Sequence, residues 1–295
     1  MKKTVFTGAG VAIVTPMKED FSVNYEKLNQ LLDFQINNGT DAIIICGTTG
    51  ESSTLSDEEH SKLIHHTVAY VNKRVPVVAG VGSNDTQYAV WLTKEAKAAG
   101  ADALLNVTPY YNKTSQNGLI RHFFTCADAS DLPIIVYNVP SRTGLNIAPQ
   151  TYLKLSEHPN IVATKEANGN ISEIAQTASL CGDNLAIYSG NDDQIVPIMS
   201  LGGIGVISVL SNIMPKETHD MCALYLEGKE KESTAMQLKL LDIANAIFID
   251  VNPIPVKAAL NLMGYGVGEC RLPLVPLSDA ALGTLSAVMK KHGLI

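Results

Sequence analysis

The sequence lacks any CxxC pair, and its five cysteines (Cys46, Cys126, Cys181, Cys222 and Cys270) are odd in number and widely scattered. Neither a disulfide framework nor a cysteine-built zinc site is therefore expected, and a reducing cytoplasm is the compartment that fits. No apolar run approaches the roughly 20 residues that span a bilayer. The opening Met-Lys-Lys-Thr runs into Gly8, Gly10 and Pro16 without an apolar stretch or a small-residue cleavage site, so no secretion signal is expected. A basic excess is missing too. The formal charge is −7, with acidic and basic residues interspersed, which leaves no footprint for DNA, RNA or an anionic membrane surface. Arginine occurs at only four positions, Arg74, Arg121, Arg142 and Arg271, so the placement of each carries information.

What is present is a rhythm. Short apolar, β-branched runs alternate with longer amphipathic segments, as in repeated βα units. Eight strands are expected, near 10–15, 42–46, 75–80, 103–108, 134–138, 161–165, 186–189 and 205–209, each close to continuously apolar, as strands covered by helices are. Between the first two, Leu28, Leu31, Leu32 and Ile36 fall on one face of a helix over 25–37, and Ser56-Asp-Glu-Glu59 reads as a capping box opening the helix after the second. Gly39 and Gly100 stand where helices should stop before a strand. Eight such units close a (β/α)8 TIM barrel, expected over 1–228, whereas a doubly wound sheet would need fewer strands and a switch point. Residues 229–295 offer helical stretches at 233–249 and 255–263 and no convincing strand, so a C-terminal helical extension packed on the barrel is expected.

Barrel enzymes carry their chemistry at the C-terminal ends of the strands. There the sixth expected strand ends in Lys165-Glu166, although a lysine is seldom buried without a partner. Desolvation lowers an amine's pKa, and a neutral amine near pH 7 can attack a ketone to form an imine. A structural Lys165–Glu166 pair, or a lysine snorkelling to the barrel mouth, accounts for the same residue. Tyr137, ending the fifth strand, could relay protons beside that amine or simply fill the core. Gly47-Thr48-Thr49-Gly50-Glu51 presents hydroxyls and backbone N–H groups suited to a small carboxylate, and it also reads as an ordinary turn. Arg142, in Pro140-Ser-Arg-Thr-Gly144, is placed either to grip a substrate carboxylate or to sit solvated in its loop.

Other signals lead elsewhere and are set aside. Gly202-Gly203-Ile-Gly205 precedes a strand, the wrong order for a dinucleotide fingerprint. His60, His65 and His66 share a helix without carboxylates at ligand spacing, so no metal site is expected. Acidic Gly190-Asn-Asp-Asp193 would line a phosphate site poorly.

Five motifs, Gly47-Thr-Thr-Gly-Glu51, Thr108-Pro-Tyr-Tyr-Asn112, Tyr137-Asn-Val-Pro-Ser-Arg-Thr-Gly144, Lys165-Glu166 and Gly205-Val-Ile-Ser208, occur in an order that resembles the dihydrodipicolinate synthase and N-acetylneuraminate lyase superfamily over the whole chain. Within it the first-named branch is the nearer. Thr48-Thr49 stands where the sialic-acid lyases usually carry Ser-Thr, and those lyases lack an arginine matching Arg142.

The resemblance implies a covalent imine of pyruvate with Lys165 and no cofactor, with Tyr137, Thr48 and Tyr111 as a proton relay. Tyr111 would reach into a neighbouring subunit's site, implying a homo-oligomer built as a dimer of dimers. Thr49 and the Gly47–Gly50 backbone would hold the pyruvate carboxylate, Gly190 and Ile207 would shape its pocket, and Arg142 would hold the carboxylate of L-aspartate-4-semialdehyde. The product would be 4-hydroxy-tetrahydrodipicolinate, on the way to diaminopimelate and lysine. Relatives inhibited by lysine bind it at positions matching Ser52, Ser53, Asp57, His60, Asn84, Tyr88 and Tyr110. Where they typically have a histidine and a glutamate, this chain has Asp57 and Tyr88, which implies weak inhibition or none. The rival readings are another aldolase of the superfamily, a catalytically silent barrel serving as a scaffold or sensor, and a metal-dependent barrel lyase.

Overall fold

Strands 8–12, 42–45, 77–80, 103–107, 134–138, 161–166, 186–189 and 205–208, here β1 to β8, pair in parallel and in chain order, and β8 returns to β1 to close a barrel. This is the arrangement in a computed structural model, which describes residues 2–295. The first strand lies two to three residues earlier than the apolar run suggests. Its ladder is set by the seam, where Gly8, Ala9 and Gly10 meet Gly205, Val206 and Ile207. Gly205 is obligatory at that seam, because a Cβ there would stand 1.9 Å from the Gly8 carbonyl oxygen.

Two packed layers follow from strand alternation. Side chains pointing inward, among them Phe6, Ile44, Val78, Leu105, Ile135, Tyr188 and Ile207, fill the barrel. Those pointing outward pack against the helices in a larger core. At the base of the barrel Phe6 stacks on Tyr188, centroids 4.4 Å apart, and the Tyr188 hydroxyl donates to the Phe6 carbonyl at 2.6 Å, so the interior is plugged from below and ligands enter only from above.

The helix Tyr25–Asn37 opens on Asn24, whose side chain accepts from the Lys27 N–H. The Ser56/Glu59 capping box is formed in both directions at the start of helix Asp57–Val71. Gly100 ends helix Thr86–Ala99 in the left-handed conformation at φ 82°. After the helix Pro215–Leu226 the chain adds Glu230–Lys239, Leu241–Ala246, Ile254–Leu262 and Asp279–Lys291. The expected single helix over 233–249 is broken at buried Leu240, where φ −92° and ψ 0° leave the helical region. No described helix is long and apolar enough to cross a membrane.

Candidate active site

Alternation along β6 decides where its two terminal residues go. Lys165 points into the barrel and Glu166 points out toward the helices. The Glu166 carboxylate is taken up there: the Asn138 side-chain amide donates to it at 3.0 Å, the Tyr152 hydroxyl at 2.7 Å and the Asn168 backbone N–H at 2.9 Å. Burial still pushes this carboxyl up to about 7, against those bonds. A structural Lys165–Glu166 pair is thereby replaced by a polar network on the far side of the strand.

Lys165 is 5% exposed and in register with Tyr137 on β5 and Tyr188 on β7. Its ammonium nitrogen stands 4.3 Å from the centre of the Tyr137 ring, so the ring face meets the amine. Desolvation brings the Lys165 pKa down to about 8; the Asp192 carboxylate opposes the fall and the Arg142 guanidinium assists it. A usable fraction of this amine is therefore neutral near pH 7. Burial pushes the Tyr137 phenol up to about 12, which keeps it a hydrogen-bond donor at neutral pH.

Above the amine lies a cavity of about 220 Å³, walled by Thr48, Thr49, Tyr137, Arg142, Lys165 and Gly190 together with Asn191, Phe248 and Asn252. Six of the eight residues singled out in the sequence thus converge on one space. The other two do not. Ile207 is fully buried in the inner core and lies outside that wall. Tyr111 stands at φ +69° and is 92% exposed, away from the cavity of its own chain.

Several contributors are illegible as motifs. Asn252, in the C-terminal extension, donates from its side-chain amide to Thr49 Oγ1 at 2.9 Å and accepts from Arg142 at 3.2 Å through its backbone carbonyl. Asp192, buried after β7, accepts from Ser208 Oγ at 2.5 Å and from the N–H groups of Val209 and Leu210 at 3.0 and 2.9 Å. Its only signal in the sequence is an acidic pair beside a strand end. Among the described residues no group of three or more His, Cys, Asp and Glu side chains is arranged to hold a metal ion.

A buried lysine at the mouth of a closed (β/α)8 barrel, beside a tyrosine and a threonine pair, narrows the choice to a few families of imine-forming enzymes. The sequence pattern of the Dihydrodipicolinate synthetase family matches residues 5–292. The chain belongs to that family. A 4-hydroxy-tetrahydrodipicolinate synthase of Lachnoclostridium phytofermentans is 61% identical over 292 residues, covering 99% of either chain. One from Acetivibrio thermocellus is 55% identical over 295 residues, covering 100% of both. The crystal structure of the dihydrodipicolinate synthase of Thermotoga maritima superposes with a TM-score of 0.97 at 43% identity, covering 99% of this chain and 100% of that one. Relatives of the dihydrodipicolinate synthetase family this near span the same length, so the chain carries both the barrel and the helical extension in common with them.

Proposed function

We propose that the chain is a 4-hydroxy-tetrahydrodipicolinate synthase that condenses pyruvate with L-aspartate-4-semialdehyde through a covalent imine at Lys165, in the route to diaminopimelate and lysine. The observation that carries this reading is the desolvated amine of Lys165, held near pKa 8 at the floor of a cavity that also bears an arginine.

The neutral amine adds to the keto carbon of pyruvate, and loss of water from the carbinolamine gives the protonated imine. A proton then leaves the pyruvate methyl group, and the resulting enamine carbon attacks the aldehyde of the second substrate, forming the carbon–carbon bond. The amino group of that substrate closes onto the imine carbon and displaces Lys165, so ring closure regenerates the free amine. One water leaves overall, and no external oxidant or reductant is needed. Tyr137 and Thr48 serve these proton transfers, with Tyr111 completing the relay from a second copy of the chain. Thr49 and the adjacent backbone N–H groups hold the pyruvate carboxylate, Gly190 leaves room beside it, Ile207 supports the pocket from within the barrel, and Arg142 holds the carboxylate of the aldehyde.

In this reading residues 1–228 form the catalytic barrel and 229–295 an extension that closes one side of its mouth. The assembly is a dimer of dimers, no cofactor takes part, and the compartment is the cytoplasm, where the pathway runs. The decisive experiment is reduction with borohydride in the presence of pyruvate, followed by peptide mass mapping. A reduced pyruvyl adduct is expected on the peptide bearing Lys165 alone. An unmodified Lys165, or full synthetic rate in Lys165→Ala, refutes the proposal.

A further inference from the structure

The most deeply buried ion pair among the described residues joins Lys257 and Glu51 at 2.8 Å, with side-chain exposures of 2% and 1%. Paired charges buried to this degree often add little stability over an apolar pair of the same volume, so their presence calls for a role in geometry. Lys257 spends its three N–H donors on three acceptors: Glu51 Oε1, the Glu269 carbonyl at 2.7 Å and the Thr15 carbonyl at 3.2 Å. The second oxygen of Glu51 accepts the Arg271 backbone N–H at 2.8 Å. Neither partner is free to move without stranding the other.

Their position gives that rigidity a purpose. Glu51 ends the turn that carries Thr48 and Thr49, and it sits at φ +58°, a left-handed conformation unfavourable for a side-chain-bearing residue. The same turn is tied to β1's continuation by the Thr15 hydroxyl, which donates to the Gly50 carbonyl at 2.7 Å. Lys257 lies on helix Ile254–Leu262, five residues beyond Asn252, whose side chain donates to Thr49 Oγ1. One short stretch of the extension therefore grips the turn at two points, one on the threonine itself and one at the turn's end. Because Thr49 Oγ1 accepts from Asn252, its own proton is left to point at a ligand in the cavity.

We propose that Lys257 and Glu51 are positioning residues of the keto-acid site, their buried ion pair fixing the 47–51 turn so that Thr48 and Thr49 face the carboxylate of the bound keto acid. This rests on the assignment of the pyruvate carboxylate to that turn. Held rigid, the turn binds without first being ordered, and the benefit falls on keto-acid affinity.

The test is steady-state kinetics of the full-length Glu51→Gln/Lys257→Met double variant, in which both charges are removed together. Its Tm is expected to fall by several degrees, because the Thr15 and Glu269 carbonyls lose their donor, while KM for pyruvate rises tenfold or more and kcat at saturating pyruvate holds within about threefold. A folded double variant whose pyruvate KM stays within twofold, or whose kcat falls with KM unchanged, overturns the proposal. If the double variant does not fold, Glu51→Asp, which keeps the charge and shortens its arm by one methylene, decides by the same two readings. Borohydride trapping in the unaltered chain reports separately on the reaction, so failure of this inference is distinguishable from failure of the proposed function.

Discussion

At the scale of single residues, the proposed chemistry turns on fields that pull Lys165 in opposite directions. Burial lowers its pKa to about 8, Asp192 opposes, and Arg142 adds to the fall; Tyr137 presents its neutral ring. With the neutral amine as the proposed nucleophile, the rate of imine formation at low pyruvate should climb with pH, reach half its plateau near 8 and level off above. Asp192→Asn is a conservative probe of the opposing field. An amide can accept from Val209 and Leu210 and donate to Ser208 where the carboxylate only accepted. Removing the negative charge should move the midpoint to lower pH, and Arg142→Ala, which removes a positive one, should move it upward. Trapping rates measured across pH 6 to about 10 check both signs, and a shift opposite to the one given for either variant would show that its charge does not act on the amine as described.

Arg142→Ala has a second consequence. A charge-assisted hydrogen bond is worth about 1.5–3 kcal/mol, so kcat/KM for aspartate semialdehyde should drop roughly 10- to 100-fold while pyruvate is still trapped on Lys165. Equal loss of both would deny Arg142 its assignment to the aldehyde. These residue identities are the most legible part of the protein: Lys165, Tyr137, Thr48, Thr49 and Arg142 announce themselves as polar groups at the ends of apolar strands. Asp192 and Asn252 do not, because a buried aspartate and a loop asparagine have no periodicity to depart from. Only the folded chain shows what each one touches.

At the scale of elements, the strands were readable to within two or three residues because their apolar character is nearly continuous. Their registers were not, since a parallel ladder in a barrel is fixed by closure rather than by any one strand. The sequence of the extension points to packing alone, for a similar reason. Helix Ile254–Leu262 is apolar on most sides, and its one lysine marks a buried contact that only the tertiary structure can supply. Helices 57–71 and 86–99 hold a further case. Between them a cavity of about 400 Å³ is lined by Ser52, Ser53, His60, Tyr88 and Tyr110, and it shares Thr48, Val139 and Arg142 with the cavity above Lys165. Asp57, whose carboxylate could have met a ligand ammonium beside it, accepts instead from the Tyr88 hydroxyl at 2.6 Å, and Tyr88 is stacked on Trp91. An ammonium entering here would have to share that carboxylate with the Tyr88 hydroxyl. Free lysine up to about 1 mM is therefore expected to change the initial rate less than twofold. Strong inhibition in such a titration would mean that Tyr88 and Asp57 rearrange readily.

At the scale of the whole molecule, the proposed relay lacks its third member within one chain, because Tyr111 does not line the cavity. Tyr111 projects 92% exposed from a residue held at φ +69°, on a loop whose Asn112 side chain donates to the Asn84 carbonyl at 3.0 Å. A large aromatic side chain kept out in water on a constrained backbone is the shape of a group meant for another surface. If it completes the site of a second copy, activity belongs to pairs of chains and two defects on different chains should complement. Lys165→Ala loses the amine and Tyr111→Phe loses the relay hydroxyl, so each homo-oligomer is expected to be strongly impaired. In a hybrid pair, the site that keeps Lys165 receives an intact Tyr111 from the other chain, while the opposite site carries both defects. Co-expression of the two variants in equal amounts makes half of all pairs hybrid, each with one sound site of two. The mixture should therefore recover about a quarter of the unaltered activity, a value set by the two-fold symmetry of the pairing. Mixed activity no greater than the sum of the separate variants would place Tyr111 outside the relay or within its own chain's site, and the pairing would then serve some purpose other than catalysis.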